Sequence, residues 1–199
     1  MNNKKYDLII VGAGPTGIQV AIEAKKAGLK SIILEKGALV DSIYHFPVNM
    51  TFFSTSEKLE IADVPFMSNN ARPSRQEAME YYRRLMTHYN LNINLYEEVS
   101  SVTKQADGSF SLITTKDNYT SRYVVIATGF YGVPNYMNVP GENLPHVTHY
   151  YDDPHKYIGQ KVVVVGAANS ACDAALETWQ KGADVTMLIR GEGINERVK

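Results

Sequence analysis

The chain has 199 residues, and its 20 Lys+Arg against 21 Asp+Glu give a net charge of −1, which excludes an overall positive charge that would favour nucleic acid or an acidic membrane surface. No apolar run is long enough to span a bilayer, and the short run near the start ends in a glycine loop, so we expect neither a membrane segment nor a signal peptide. The single cysteine, Cys172, excludes an internal disulfide, and the histidines show no metal-ligand spacing. We therefore expect a cytoplasmic protein without a metal site.

The first elements predict a strand, a helix and a second strand in direct succession. Residues 6–12 are apolar and β-branched and indicate a buried strand. Pro15 suits the first turn of a helix, and Gly28 is a fitting C-terminal cap for it. Residues 31–35 follow as the second strand. This is the size of a βαβ unit.

The loop inside this unit has the spacing Gly12-x-Gly14-x-x-Gly17. Such a loop needs one glycine for the tight turn, one for the close approach of a pyrophosphate, and one for helix–strand packing. Glu35, at the end of the second strand, can accept hydrogen bonds from both ribose hydroxyls and would repel a 2′-phosphate. The pattern predicts a site for FAD or NAD; the alternative is a glycine turn in an ordinary α/β protein.

The middle of the chain changes from an irregular segment to a helix and then to short strands. Residues 37–73 show no period, and so long a stretch indicates a ligand-wrapping segment. The aromatic residues at 44–53 are either core packing or the wall of a cofactor pocket. Ser74 is predicted to begin a helix that ends near Tyr89, with Glu77 completing a capping box. Short strands are predicted at 92–96, 99–103, 110–115 and 119–126, with a hairpin turn at Asp107-Gly108.

The end of the chain repeats its beginning. After a stretch at 134–160 that holds four of the eight prolines, where we place a domain crossing, an offset of 154 residues superimposes Gly12 on Gly166 and Gly28 on Gly182. A strand from Lys161, a helix over 169–181 and a strand over 184–190 are predicted. Two strands and one helix cannot cover both faces of a parallel sheet, so either the chain is a fragment or a partner covers this surface.

The second copy differs from the first at two informative places. Ala168 replaces the second glycine, so Asn169 and Ser170 would have to supply phosphate contacts. Glu35 corresponds to Ile189, and Lys36 corresponds to Arg190. The carboxylate is lost and a guanidinium is gained, which suits the 2′-phosphate of NADPH. The alternative for Arg190 is a solvated cation at a strand end.

These residues together resemble the flavin-dependent pyridine nucleotide-disulfide oxidoreductase superfamily, and within it the bacillithiol disulfide reductase group, which is related to thioredoxin reductase and to flavin monooxygenases. The resemblance covers essentially all of the chain. It depends on the following segments: Gly12-Ala13-Gly14-Pro15, Glu35-Lys36-Gly37, Asp41-Ser42-Ile43-Tyr44, Thr51-Phe52-Phe53-Ser54, Ala127-Thr128-Gly129-Phe130-Tyr131-Gly132 and Asn169-Ser170-Ala171.

The resemblance implies which residues bind the two cofactors. The implied FAD contacts are Gly12, Gly14, Pro15, Thr16, Gly17, Glu35, Lys36, Tyr44, Thr51, Val99, Ala127, Thr128 and Gly129. The implied NADPH contacts are Gly166, Ala168, Asn169, Ser170 and Arg190. Members of the group can carry a cysteine where this chain has Thr16, and the family continues past Lys199.

The predicted fold is α/β, with a Rossmann-like FAD-binding domain (a parallel sheet plus a β-hairpin or meander) over residues 1–133. The crossing covers 134–160, and 161–199 begin a second Rossmann-like, NADPH-binding domain. The predicted function is hydride transfer from NADPH to flavin and on to a low-molecular-weight disulfide or another acceptor, with no catalytic side chain evident and with a homo-oligomer left open. The alternatives are a flavin monooxygenase, whose linker signature is absent from 130–159, and a truncated, non-catalytic binding module.

Overall fold

The computed structural model describes residues 4–194 and Val198. The chain divides into two compact units, of which the first comprises Met1–Phe46 and Met50–Glu142 and the second Pro47–Asn49 and Asn143–Lys199. Among the described residues, no helix is both long enough and apolar enough to cross a bilayer.

The first unit is an α/β fold around one six-stranded sheet. Its elements are, in chain order, β1 (Lys4–Val11), α1 (Pro15–Lys26), β2 (Ser31–Leu34), α2 (Asp41–Tyr44), α3 (Arg75–His88), β3 (Ile93–Asn94), β4 (Val99–Lys104), β5 (Phe110–Thr114) and β6 (Asn118–Ile126), with a 3-10 turn at Ser56–Lys58. The strand order is β3-β2-β1-β6-β5-β4. The first four strands in this order are parallel, whereas β6, β5 and β4 form an antiparallel meander. The predicted fold class is confirmed.

The parallel strands end together at one edge of the sheet. Val11 lies beside Leu34 of β2 and beside Ile126 of β6, and Leu34 lies beside Asn94 of β3. The loops that follow these strands therefore meet at the carboxyl edge. In open parallel sheets this edge is where ligands bind.

Packed side chains cover both faces of the parallel sheet, so the sheet fixes the positions where those loops begin. On one face, alternate residues of β1 and β2 pack against α1; the cluster contains Leu8, Ile10, Ile33, Ala21 and Ala24. On the opposite face, the intervening residues pack against the meander; this cluster contains Ile9, Ile32, Leu34, Leu112 and Tyr119. The alternation explains why these strands read as continuous apolar runs.

Helix α3 begins at the predicted capping box. The Ser74 hydroxyl accepts a bond from the Glu77 N–H, and the Glu77 carboxylate accepts one from the Ser74 N–H. Backbone N–H groups of Ser74 and Asn69 donate to this carboxylate and lower the pKa of Glu77 to about 2. The helix then buries Ala78, Tyr82 and Leu85 against α1 and the irregular segment.

The second unit repeats the βαβ geometry of the first. It contains β7 (Lys161–Val165), α4 (Asn169–Gln180) and β8 (Asp184–Leu188), with a 3-10 turn at Pro154–Tyr157 before them. The Gly12 N–H donates to the Leu34 carbonyl at 2.8 Å, and at the same offset the Gly166 N–H donates to the Leu188 carbonyl at 3.0 Å. Helices α1 and α4 each have 12 residues. The sequence repeat is therefore also a repeat of the backbone.

The small sheet of the second unit leaves apolar side chains uncovered. The exposed residues are Val163, Val165, Leu176, Trp179 and Leu188. They lie on both strands and on α4, as expected of two strands and one helix. The predicted strand over 184–190 ends two residues earlier, and Arg190 lies in a bend after it.

Candidate functional site

The three glycines of the first loop have three different surroundings. Gly12 has φ +108°, and a Cβ there would lie 2.4 Å from the Ala127 carbonyl oxygen. A Cβ at Gly17 would lie 2.0 Å from the Gly12 carbonyl oxygen. At Gly14 a Cβ would meet nothing within 4 Å. The turn and the helix packing thus require Gly12 and Gly17, whereas Gly14 faces open space, as the approach of a pyrophosphate requires.

The N-terminus of α1 opens from this loop. Gly14 is the N-cap residue, in an extended conformation and without a side chain to accept a capping bond, and Pro15 is the first helical residue. Thr16 is exposed next to them. The first N–H groups of a helix lack intrahelical acceptors and lie at the positive end of its dipole. The first turn of α1 carries no acidic residue, so its electrostatics suit an anion such as a phosphate.

Glu35 joins the loop after β1 to the loop after β2. It is only 7% exposed. Its Oε2 accepts a 2.7 Å bond from the Ala13 N–H, and its Oε1 accepts a 2.8 Å bond from the Gly37 N–H. Each carboxylate oxygen has a second lone pair. The carboxylate is therefore fixed by the backbone and keeps capacity for the ribose hydroxyls that the sequence predicts as its partners.

The segment after β6 lies beside Lys36. The Ala127 N–H donates to the Val11 carbonyl, which continues the β1–β6 ladder to the edge of the sheet. Beyond it, a cavity of about 250 Å³ is lined by Lys36, Thr128, Gly129, Phe130, Gly132 and Val133. The structure thus brings the predicted residues Lys36, Thr128 and Gly129 together. Phe130 is 93% exposed. The resemblance includes Phe130 in the motif after β6 but implies no cofactor contact for it, because only packing shows that its aromatic ring is left uncovered.

The aromatic residues at 44–53 divide into packed and exposed positions. Phe46 and Phe52 pack against the cluster formed by α1, α3 and the irregular segment. The Tyr44 ring is half exposed, and the guanidinium of Arg75 lies 5.6 Å from its centroid. Thr51 is exposed and pairs with Ser74 in an isolated bridge.

Residues 44–46 also contact the segment after β6. The Tyr131 hydroxyl donates to the His45 carbonyl, and the Tyr131 ring packs edge-on against Phe46 at 4.9 Å. These contacts join the segment that contains Tyr44 to the segment after β6.

Val99 occupies a different position from the other predicted FAD residues. Val99 begins β4, at the far edge of the sheet order, and packs against the cluster under the meander.

Glu97, two residues before Val99, is only 2% exposed. Burial and the bond to Glu97 raise the pKa of Tyr119 to about 12. Nothing in the sequence distinguished Glu97 from its exposed neighbour Glu98, because their burial is decided by distant segments.

The second loop has the same backbone form with different side chains. Gly166 has φ +134°, and a Cβ there would lie 3.1 Å from the Ala171 Cβ. Ala168 is the extended N-cap of α4, as Gly14 is of α1, and Asn169 and Ser170 form its first turn. Arg190 is exposed just after β8. The predicted NADPH residues therefore gather at the carboxyl end of the small sheet.

Comparison with known proteins gives consistent matches along the whole chain. A family model described as pyridine nucleotide-disulphide oxidoreductase matches residues 9–199. Bacilliredoxin reductase Bdr from Bacillus subtilis (strain 168) is 47% identical over 191 residues, which are 96% of this chain and 59% of that protein. The solved structure of bacillithiol disulfide reductase Bdr (YpdA) from Staphylococcus aureus superposes with a TM-score of 0.96 at 46% identity, over 98% of this chain and 60% of that one.

More distant structures share the fold. A flavin-containing monooxygenase from Stenotrophomonas maltophilia has a TM-score of 0.83 at 21% identity, over 95% of this chain and 59% of that one. The chain thus spans about three fifths of the length of these three relatives. Because the family model covers nearly all of the chain, the chain belongs to the pyridine nucleotide-disulphide oxidoreductase family.

Proposed function

We propose that this chain is the FAD-binding part, and the first portion of the NADPH-binding part, of an NADPH-dependent flavin oxidoreductase that reduces a low-molecular-weight disulfide of the bacillithiol type. The observation that carries the proposal is the 46–47% identity to proteins named bacilliredoxin reductase and bacillithiol disulfide reductase over 96–98% of this chain. We assign residues 1–133 to the FAD domain, 134–160 to the crossing and 161–199 to the NADPH domain.

The residues at the first carboxyl edge fit FAD. The open space at Gly14 and the N-terminus of α1 suit the pyrophosphate, and the fixed carboxylate of Glu35 suits the adenosine ribose. Lys36 and Thr128 line the adjoining cavity, and the segment that contains Tyr44 contacts the segment after β6. When bound, FAD supplies hydride acceptance from a nicotinamide and onward delivery of two electrons. The protein's part is to hold, orient and shield the cofactor.

The residues at the second carboxyl edge fit NADPH. The extended turn from Gly166 to Ala168 leads into the first turn of α4, which contains no acidic residue. Arg190, just after the second strand, corresponds to Lys36 of the first copy, and the carboxylate of Glu35 beside it is replaced by the apolar Ile189. A guanidinium there favours a 2′-phosphate, whereas a carboxylate would repel it. These features support NADPH over NADH as the electron donor.

The cysteine content bears on how a disulfide would be reduced. Thr16 stands in the glycine loop, and a hydroxyl cannot form a mixed disulfide there. Cys172 lies in α4 of the second unit. We therefore propose that electrons pass to the acceptor without a thiol in the glycine loop. We also propose a cytoplasmic location, the reducing setting that suits a chain whose single cysteine has no disulfide partner within it.

The proposal is tested by following the flavin absorption of the full-length protein without oxygen. NADPH should bleach the flavin bands, and bacillithiol disulfide should restore them with two thiols released per NADPH consumed. A flavin that stays oxidised under NADPH would contradict the reductase. Bleaching followed by stoichiometric oxygenation of an organic substrate in air would instead favour the monooxygenase.

A further inference from the structure

A buried carboxylate lies behind the proposed ribose-binding residue. The segment 95–98 connects β3 at one edge of the sheet to β4 at the other. Glu97, in its middle, is only 2% exposed. A charge buried this deeply is costly unless hydrogen bonds compensate it. The hydrogen bonds that Glu97 accepts therefore indicate its role.

Three neutral side chains from three strands donate to this carboxylate. The hydroxyls of Thr114 and Tyr119 each lie 2.7 Å from its Oε1, and the Asn94 amide lies 2.9 Å from its Oε2. The Asn94 amide also donates to the Tyr119 hydroxyl at 3.0 Å. The donors come from β3, β5 and β6, so the carboxylate fixes segment 95–98 to the sheet at several points.

The backbone of the same segment holds Glu35 on both sides. The Glu35 N–H donates to the Asn94 carbonyl at 2.9 Å, and the Glu97 N–H donates to the Glu35 carbonyl at 2.7 Å. A third backbone bond joins the same two segments: the Tyr96 N–H donates to the Gly37 carbonyl. A shift of Glu97 would therefore move the main chain from which the Glu35 carboxylate projects.

A purely stabilising role explains this arrangement poorly. Well-packed apolar residues often replace buried charged groups with no loss of stability, whereas polar networks fix one geometry. We propose that Glu97 is a positioning residue, which orients Glu35 toward the ribose hydroxyls of an adenine dinucleotide and so sets the selectivity of the first site for them. The inference rests on the proposed function of that site.

The substitution Glu97→Gln tests this with little change in shape. The carboxamide that it introduces can still accept from the two hydroxyls, but its N–H₂ group would face the Asn94 amide donor, so one bond must break. The matched control is Glu98→Gln, since Glu98 is exposed and its backbone N–H and carbonyl bond to Thr115, outside this network.

The readout is the ratio of affinities for ADP and 2′,3′-dideoxy-ADP, measured by calorimetry on the full-length protein freed of flavin. Bonds to a charged acceptor should give wild type and Glu98→Gln a preference for ADP of about tenfold or more. In Glu97→Gln we expect this ratio to fall to about threefold or less, with dideoxy-ADP affinity nearly unchanged. Glu35→Gln should show the same loss, and the double variant should show no further loss.

Each outcome decides one question. If wild type binds neither probe and does not take up FAD, the proposed function of the site fails. If wild type prefers ADP and Glu97→Gln keeps that preference, or loses affinity for both probes equally, the positioning role is refuted. Should Glu97→Gln fail to fold, Tyr119→Phe removes a single bond to the carboxylate, and an undiminished ADP preference in that variant would refute the role as well.

Discussion

The different surroundings of Gly14 and Gly17 predict opposite consequences for the same small substitution. In Gly17→Ala the new Cβ would lie 2.0 Å from the Gly12 carbonyl oxygen, whereas ordinary contact begins at 3.4 Å. Because the obstacle is backbone, no side-chain rotation relieves it, and α1 must move away from the loop. Overpacking of this kind costs about 1–3 kcal/mol. Alanine gains about 1 kcal/mol in helix propensity over glycine. The two effects together give an expected net loss of about 1 kcal/mol in the free energy of unfolding.

Gly14→Ala should leave stability nearly unchanged and weaken FAD binding. Its Cβ would meet nothing within 4 Å. The conformation is ordinary for alanine, since Gly14 has φ −77° and ψ 178° and Ala168 has φ −103° and ψ 176° at the equivalent N-cap. Loss of a glycine N-cap and reduced freedom of the unfolded chain oppose each other at about 0.5 kcal/mol each. The methyl group would occupy the approach of the pyrophosphate, so we expect FAD affinity to fall about tenfold or more.

The assay is urea unfolding of the flavin-free, full-length variants, together with fluorescence titration of each with FAD. The predicted clash at Gly17 is refuted if Gly17→Ala unfolds at the wild-type urea concentration. The predicted role of Gly14 is refuted if Gly14→Ala is the less stable of the two variants, or if Gly14→Ala binds FAD as wild type does.

Three further substitutions test separate features. Ser74→Ala removes the capping hydroxyl and should lower the free energy of unfolding by about 1 kcal/mol; an unchanged urea midpoint would contradict the cap. The pKa of Glu77 is lowered from its ordinary value of 4.5 to about 2 in the folded chain. The ionised carboxylate therefore stabilises the fold above pH 4.5, and this stabilisation is lost as the pH falls toward 2. Glu77→Gln should thus be less stable than wild type at neutral pH and converge with it in acid, as urea unfolding at several pH values would show. Arg190→Ala should sharply reduce the preference for NADPH over NADH in steady-state kinetics, and an unchanged ratio would remove the residue from the NADPH site.

The sequence by itself determined the features that depend on neighbouring residues. The apolar runs, the glycine spacing, the capping box at Ser74 and the repeat of 154 residues all appear in the structure where they were predicted. The apolar runs, the glycine spacing and the capping box each depend on residues that are close together in the sequence, because positive φ, helix capping and the apolar pattern of a buried strand are local requirements. The repeat even preserves the bond that Gly12 makes to Leu34, as Gly166 makes it to Leu188.

Only the tertiary structure decided what the predicted residues face. It buried Glu35 and decided which backbone groups its carboxylate bonds. It also brought Lys36 beside the segment after β6. It divided the aromatic residues into core and exposed positions, and it buried Glu97 while leaving Glu98 in solvent. These outcomes depend on segments that are far apart in the sequence and meet only because the strands pair in the order β3-β2-β1-β6-β5-β4, which no local pattern encodes.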